Sequence, residues 1–281
     1  MRIPRTLPVK HKGTAMQVRT PNFHFERALP HWAPNREFAH ANNAGSTTLP
    51  VLEPYLNRVM RKAREQLPSG STALIADIDL FVRQEANHYQ QHQRYNDCLY
   101  RAGYGGLREF EAELKTDYQH FLAARPLKFN VAYAEGFESL GIIYAKFFFE
   151  RVDDLLEGSD ENVAHLWKWH FAEEFEHRTV CHDVYHELFG GYWYRVYGLF
   201  YAIWHLGRYG KRATAYLLKT DRENMTMRAR LQSRCRAFRY QSRLSLFMFP
   251  HVLRILSPAY DPRGRRPPRG AEQFLSSLET I

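Results

Sequence analysis

At 281 residues, with 44% apolar and 15% aromatic content, the chain is long enough for a sizeable core and too apolar to be wholly disordered. Three cysteines without a C-x-x-C spacing argue against a disulfide framework or a zinc knuckle and suit a reducing cytoplasm, and MRIPRTLPVKHKG lacks an apolar core of signal-peptide length. The net charge of +9 is uneven: residues 191–270 hold 17 Lys/Arg against 3 Asp/Glu, or +14, leaving −5 for the remainder.

Residues 1–45 are rich in Pro, Asn and basic groups and read as an irregular arm, with short elements around Phe23–Phe25 and Trp32. Ser46-Thr-Thr-Leu-Pro then signals a helix over about 51–67, stopped by Pro68-Ser-Gly. Glu53 lies in its first turns, where an acid by itself simply suits the helix dipole.

A second helix, about 72–102, carries Leu74, Ile78, Phe81, Glu85, His88, His92 and Leu99 near one stripe. Glu85-x-x-His88 thus sits within an apolar seam. Read alone, it is as well explained by a core histidine paired with its own acid. After Gly103-Tyr-Gly-Gly, a Glu- and Lys-rich stretch, about 107–124, reads as a crossover helix or an inserted elbow, not as a ligand carrier.

The next helix, about 128–157, is strongly apolar yet contains Glu135 and Glu138, about 60° apart around the axis. A buried acid is costly without a partner. One of the two is expected to point inward.

Helix 163–189 contains HLWKWHFAEEFEHRTVCHDVYHEL, free of Pro and Gly and ending at Gly190-Gly191. At about 100° per residue, His170, Glu174 and His177 fall within an arc of roughly 60°. A single H-x-x-x-E-x-x-H can be no more than a polar surface face. The other helices change that reading.

Beyond it lie an aromatic run, GYWYRVYGLFYAIWHLGRYGKR, and a further helix, about 222–256. The first is too short and polar for a membrane span. Residues 257–281 read as a flexible basic tail. No dinucleotide fingerprint, phosphate-binding loop or nucleophile elbow is present.

In chain order the candidate ligands are Glu53, Glu85-x-x-His88, Glu135 and Glu174-x-x-His177. Two Glu-x-x-His helices and two single-Glu helices are the ligand scheme of dinuclear carboxylate bundles. The expected fold is all-α: a ferritin-like four-helix bundle over residues 46–256 with a dinuclear metal core and extra C-terminal helices. Mixed oxygen and nitrogen ligands suit Fe or Mn better than zinc.

LPVLEPYL, FVRQEANHYQQH, YAEGFESLG and LWKWHFAEEFEHRTVCHDVY resemble a bacterial family of predicted metal-dependent hydrolases with a ferritin-like bundle, over about residues 45–210. In that family a His often follows the third-helix Glu; Gly136 stands there instead. The motif frame favours Glu135 over Glu138. The ligand pattern also resembles di-iron arylamine N-oxygenases, whose last ligand helix adds a third His. That resemblance implies that His170 is a ligand, the alternative being a residue that orients one.

The function expected on these grounds is an O₂-activating di-iron oxygenase using two Fe ions, with Mn as the other candidate, and an external electron donor. It would act on a small organic substrate, with N-oxygenation of an amine as the specific guess. Tyr89, Tyr95, Tyr133 and Trp167 fit a substrate cavity, although core packing explains each of them more simply. The alternative is a dinuclear hydrolase of an ester or phosphate, with His92 as proton shuttle or as an outer residue orienting a ligand. A third reading is a non-enzymatic metal-binding or membrane-associated protein. The basic, aromatic C-terminal region suits peripheral membrane contact more than nucleic acid, and a homodimer is compatible with the sequence.

Overall fold

A computed structural model describes residues 16–278 as helices joined by short turns, with no strand among the described residues. The helices are α1 (Arg36–Arg64), α2 (Thr72–Arg101), α3 (Leu107–Ala124), α4 (Leu127–Glu150), the single turn α5 (Asp153–Leu156), α6 (Glu161–Glu176), α7 (Val180–Leu188), α8 (Tyr192–Arg222), α9 (Met227–Ile255) and α10 (Ala271–Leu278). The fold is a helical bundle: α1 pairs with α2, and α4 packs against α6, α7 and α8.

α4 is predominantly apolar and is buried along most of its length, as expected of a helix surrounded by others. α3 lays Leu107, Leu114, Tyr118 and Phe121 inward.

Three expectations are corrected. First, α1 begins at Arg36 instead of about 51 and runs through Pro50 and Pro54. Asn35 caps its start, its Oδ1 accepting from the Phe38 amide at 2.9 Å. A proline inside a helix removes one amide donor. Here the Ser46 carbonyl, deprived of the Pro50 amide, accepts from Asn96 Nδ2 at 3.0 Å.

Second, the helix expected over 163–189 is broken at His177–Thr179 into α6 and α7. Arg178 Nη1 donates to the Phe175 carbonyl at 2.7 Å, a bond that a continuing helix would take from the Thr179 amide. Likewise α4 ends at Glu150, short of 157.

Third, the tail is tied to the bundle as far as residue 278, residues 279–281 lying outside the described residues. Arg263 pairs with Asp183 and Asp261, Arg178 Nε donates to the Pro262 carbonyl at 3.1 Å, and α10 packs on α6.

α4 and α8 touch backbone to backbone. A Cβ at Gly136 would lie 2.7 Å from Leu199 Cα, and one at Gly198 would lie 2.4 Å from the Ala132 carbonyl oxygen. The residue that departs from the family pattern is therefore a helix-crossing position. Gly198→Ala is expected to cost roughly 1–3 kcal/mol in urea unfolding. Gly207→Ala, on the same helix with nothing within 4 Å of its Cβ, should raise stability slightly, by about 0.5–1 kcal/mol.

Candidate metal centre

Two adjacent groups of ligand-type side chains occupy the centre of the bundle: Glu53, His88, His170 and Glu174, and beside them Glu85, Glu138 and His177. They come from α1, α2, α4, α6 and the residue that ends α6. Within each group one ligand atom per residue lies within 4.8 Å of every other. None of the seven residues is more than 2% exposed.

Glu174 joins the two groups. Its Oε1 is 3.4 Å from His170 Nε2, and its Oε2 is 3.5 Å from His177 Nε2. Glu85 Oε1 lies 3.3 Å from His177 Nε2 and 3.7 Å from His88 Nδ1, so it too faces both halves. A Cβ at Gly141 would lie 2.6 Å from Glu174 Oε2, so only glycine leaves room for this carboxylate.

All eight carboxylate oxygens of Glu53, Glu85, Glu138 and Glu174 are buried without a hydrogen-bond partner. So are His88 Nδ1, His170 Nδ1 and His177 Nε2. Leaving one buried polar group unpaired costs about 1–3 kcal/mol, and a charged one costs more. Eleven such atoms converging on one place form a donor set of hard oxygens and imidazole nitrogens that two divalent cations would satisfy.

An outer ring of hydrogen bonds fixes the imidazoles. His177 Nδ1 donates to Gln84 Oε1 at 3.1 Å, because Gln84 Nε2 is already committed to the Gln17 carbonyl and to Glu176. His88 Nε2 donates to Glu173 Oε2 at 3.1 Å, and a salt bridge from Arg19 at 3.0 Å holds Glu173. In both rings the nitrogen without a hydrogen-bond partner is therefore the one that faces the cluster. Such outer partners orient metal-ligating histidines.

This ring draws on the N-terminal arm. Gln84, Asn87, Gln91 and Arg94 of α2 donate in turn to the carbonyls of Gln17, Arg19, Pro21 and Phe23, at 2.8 to 3.0 Å. The arm is thus a strap bound along α2. Arg19, Gln84, Glu173 and Glu176 escaped the sequence reading, and the amide ladder on α2 was the one local signal for them.

The expectation for Glu135 is corrected: Glu138 enters the cluster instead. Glu135 Oε1 lies 3.3 Å from Arg195 Nη1 and 3.2 Å from His182 Nδ1, and the buried Arg195 needs that counterion. Glu138 Oε2 is 3.2 Å from His177 Nε2.

His92 stands outside both groups, its ring 5.0 Å from that of His170. Asn96 gives its amide hydrogens to the Ser46 carbonyl, so the Ser46 hydroxyl donates to Asn96 Oδ1 at 2.6 Å. Ser46 Oγ must then accept from His92 Nδ1 at 2.9 Å, which leaves His92 Nε2 bare and buried. Tyr133 and Tyr95 are tied into core hydrogen bonds, Tyr133 to Tyr118 and His205, and Tyr95 to Asn43. Trp167 covers His92 and His170.

A third group, His31, His40 and Asp221, has its carboxylate engaged by Arg36 and Tyr104 as well as by both histidines. It is a satisfied carboxylate hub joining the arm and α1 to the end of α8.

Burial and the neighbouring Glu174 push Glu138 up to about 8. Burial pulls His88 down, but its bond to Glu173 and the charge of the adjacent Glu85 prevail and raise it to about 9. Burial, helped by His88, keeps His170 neutral by lowering it to about 3. Without cations the cluster therefore stores protons, which ligation must displace. Divalent-metal affinity is expected to fall as pH drops from about 9 towards 6, with proton release measurable by calorimetry in buffers of different ionisation enthalpy. Arg19→Ala should weaken metal affinity by about 10–100-fold. Glu138→Gln should lower metal content as measured by plasma mass spectrometry, whereas Glu135→Gln should leave it unchanged.

Residues 17–265 match the family model described as predicted metal-dependent hydrolase, which spans most of the chain and all seven clustered residues. Comparison with curated proteins and with solved structures yields no match. With its buried, orphaned donor set and this match, the chain belongs to the predicted metal-dependent hydrolase family.

Proposed function

We propose that the protein is a dinuclear metal hydrolase acting on an ester or phosphate. Glu53, His88, His170 and Glu174 would hold one ion, and Glu85, Glu138 and His177 the other. The observation that carries the reading is the set of eight orphaned carboxylate oxygens shared between two groups joined by Glu174. The family description supports the reaction class. Two bound divalent ions would supply a nucleophilic water and stabilise negative charge developing on the substrate.

The chain's own contribution follows from its geometry. Glu174 and Glu85 hold the two halves in register. His92 is locked by Ser46 and Asn96 with its Nε2 turned away from Ser46. Burial, then His170 and His88, holds it well below the usual imidazole range, so it would act as a neutral imidazole relaying a proton beside His170. Trp167 and Trp169, packed on His170 and His88, limit water around the cluster.

A second reading is O₂ activation by two Fe ions, with an external electron donor and a small substrate such as an amine. It is favoured by the paired Glu-x-x-His helices with two further glutamates, the ligand scheme of di-iron carboxylate bundles, and by His170 as a third imidazole.

The two readings separate in one experiment. Protein loaded with Zn, Mn or ferrous iron is assayed for hydrolysis of nitrophenyl esters and phosphates, and in parallel for O₂ uptake after anaerobic reduction. The hydrolase reading expects turnover without O₂ consumption. It also expects His92→Ala to lower kcat by about 10²-fold with metal content retained. O₂ uptake by the iron form with no hydrolysis by any metal form would overturn it in favour of the oxygenase.

A further inference from the structure

α9 is a 29-residue helix of which only Ser233, Leu244 and Ile255 are buried. Its outer side carries Met227, Leu231, Phe238, Leu246, Phe249 and Leu253, each more than half exposed. At about 100° per residue these six fall within an arc of roughly 100°, a continuous apolar stripe along the whole helix. Single exposed apolar residues are ordinary, whereas a contiguous row of this length marks a contact surface.

The charge around the stripe identifies the contact. From residue 224 to residue 260 the chain has seven arginines and no Asp or Glu. Arg236 and Arg243 are used within the fold, on Glu37 and Asp154. Arg228, Arg234, Arg239 and Arg254 are exposed, with no acidic partner among the described residues. By helical position Arg228 and Arg239 border the stripe on one side and Arg234 on the other.

α8 adds a second exposed aromatic row, Trp193, Tyr197, Phe200 and Trp204, running towards Arg208 and Lys211. Its first turn is tied to the end of α9, where Tyr192 and Arg195 donate to the Leu256 and Ile255 carbonyls. None of the described helices is long and apolar enough to cross a membrane.

We propose that α9 lies flat on an anionic lipid surface, its apolar stripe among the acyl chains and its free arginines on the headgroups. An apolar face bordered by arginines is the pattern of interfacial helices. A second copy of the chain is disfavoured, because pairing the stripes would bring unneutralised arginines together.

The test is co-sedimentation of the full metal-loaded chain with phosphatidylcholine vesicles, with and without phosphatidylglycerol. Binding is expected only to the anionic vesicles, and it should weaken as salt is raised. Phe238→Asp with Leu246→Asp should reduce binding at least tenfold, and so should replacement of Arg228, Arg234, Arg239 and Arg254 by Gln. Metal content and the helical circular-dichroism signal should persist in both variants, since the altered side chains are exposed.

No binding to anionic vesicles at low salt would overturn the proposal. So would binding unaffected by the aspartate pair, which would indicate charge adsorption alone. A dimer in light scattering that the aspartate pair dissociates would assign the stripe to a second copy. Retention on duplex DNA without vesicle binding would assign the arginines to phosphate backbones.

Discussion

Four carboxylates buried among aromatic rings are the constraint on which the remainder of the fold depends. Transferring even one ionised carboxyl group out of water is costly, and like charges in proximity add to the cost. Among the described residues no arginine or lysine pairs with Glu53, Glu85, Glu138 or Glu174: the buried Arg195 is spent on Glu135. The bundle surrounds them with three imidazoles, each with one unpartnered nitrogen in the cluster. That arrangement is unstable as a closed network and complete as a cation-binding one.

The surrounding structure is arranged to hold those atoms still. Gly141 leaves the space that Glu174 occupies, while Gly136 and Gly198 let α4 and α8 meet backbone to backbone. Gln84 and Glu173 fix the imidazoles, and Arg19 on the strapped arm fixes Glu173. The geometry of the cluster is in this way linked to a segment far from the motifs in sequence. α9 is the exception, contributing little to the core and presenting its apolar side outward.

Much of the centre was legible in the sequence because polar groups on an apolar stripe are anomalous. Glu85-x-x-His88 and His170-x-x-x-Glu174-x-x-His177 stood out on that ground, and both lie within the cluster. The choice between Glu135 and Glu138 could not be made locally. The two differ by about 60° around one helix, and the deciding contact is Arg195, sixty residues away. The start of α1 was missed because Pro50 and Pro54 usually mark a boundary, whereas here Asn96 supplies the donor that Pro50 lacks. The break after α6 is likewise set by one side chain, Arg178, reaching back to a carbonyl. The strap is absent from any periodicity pattern, since its bonds come from amide side chains on α2.

The most direct test of the central claim is anomalous diffraction from crystals of the manganese- or iron-loaded protein. Two peaks are expected on either side of the Glu174 carboxylate, one against Glu53, His88 and His170, the other against Glu85, Glu138 and His177. A single peak, no peak, or ions found only at Glu135 or Asp221 would contradict a dinuclear centre in this bundle.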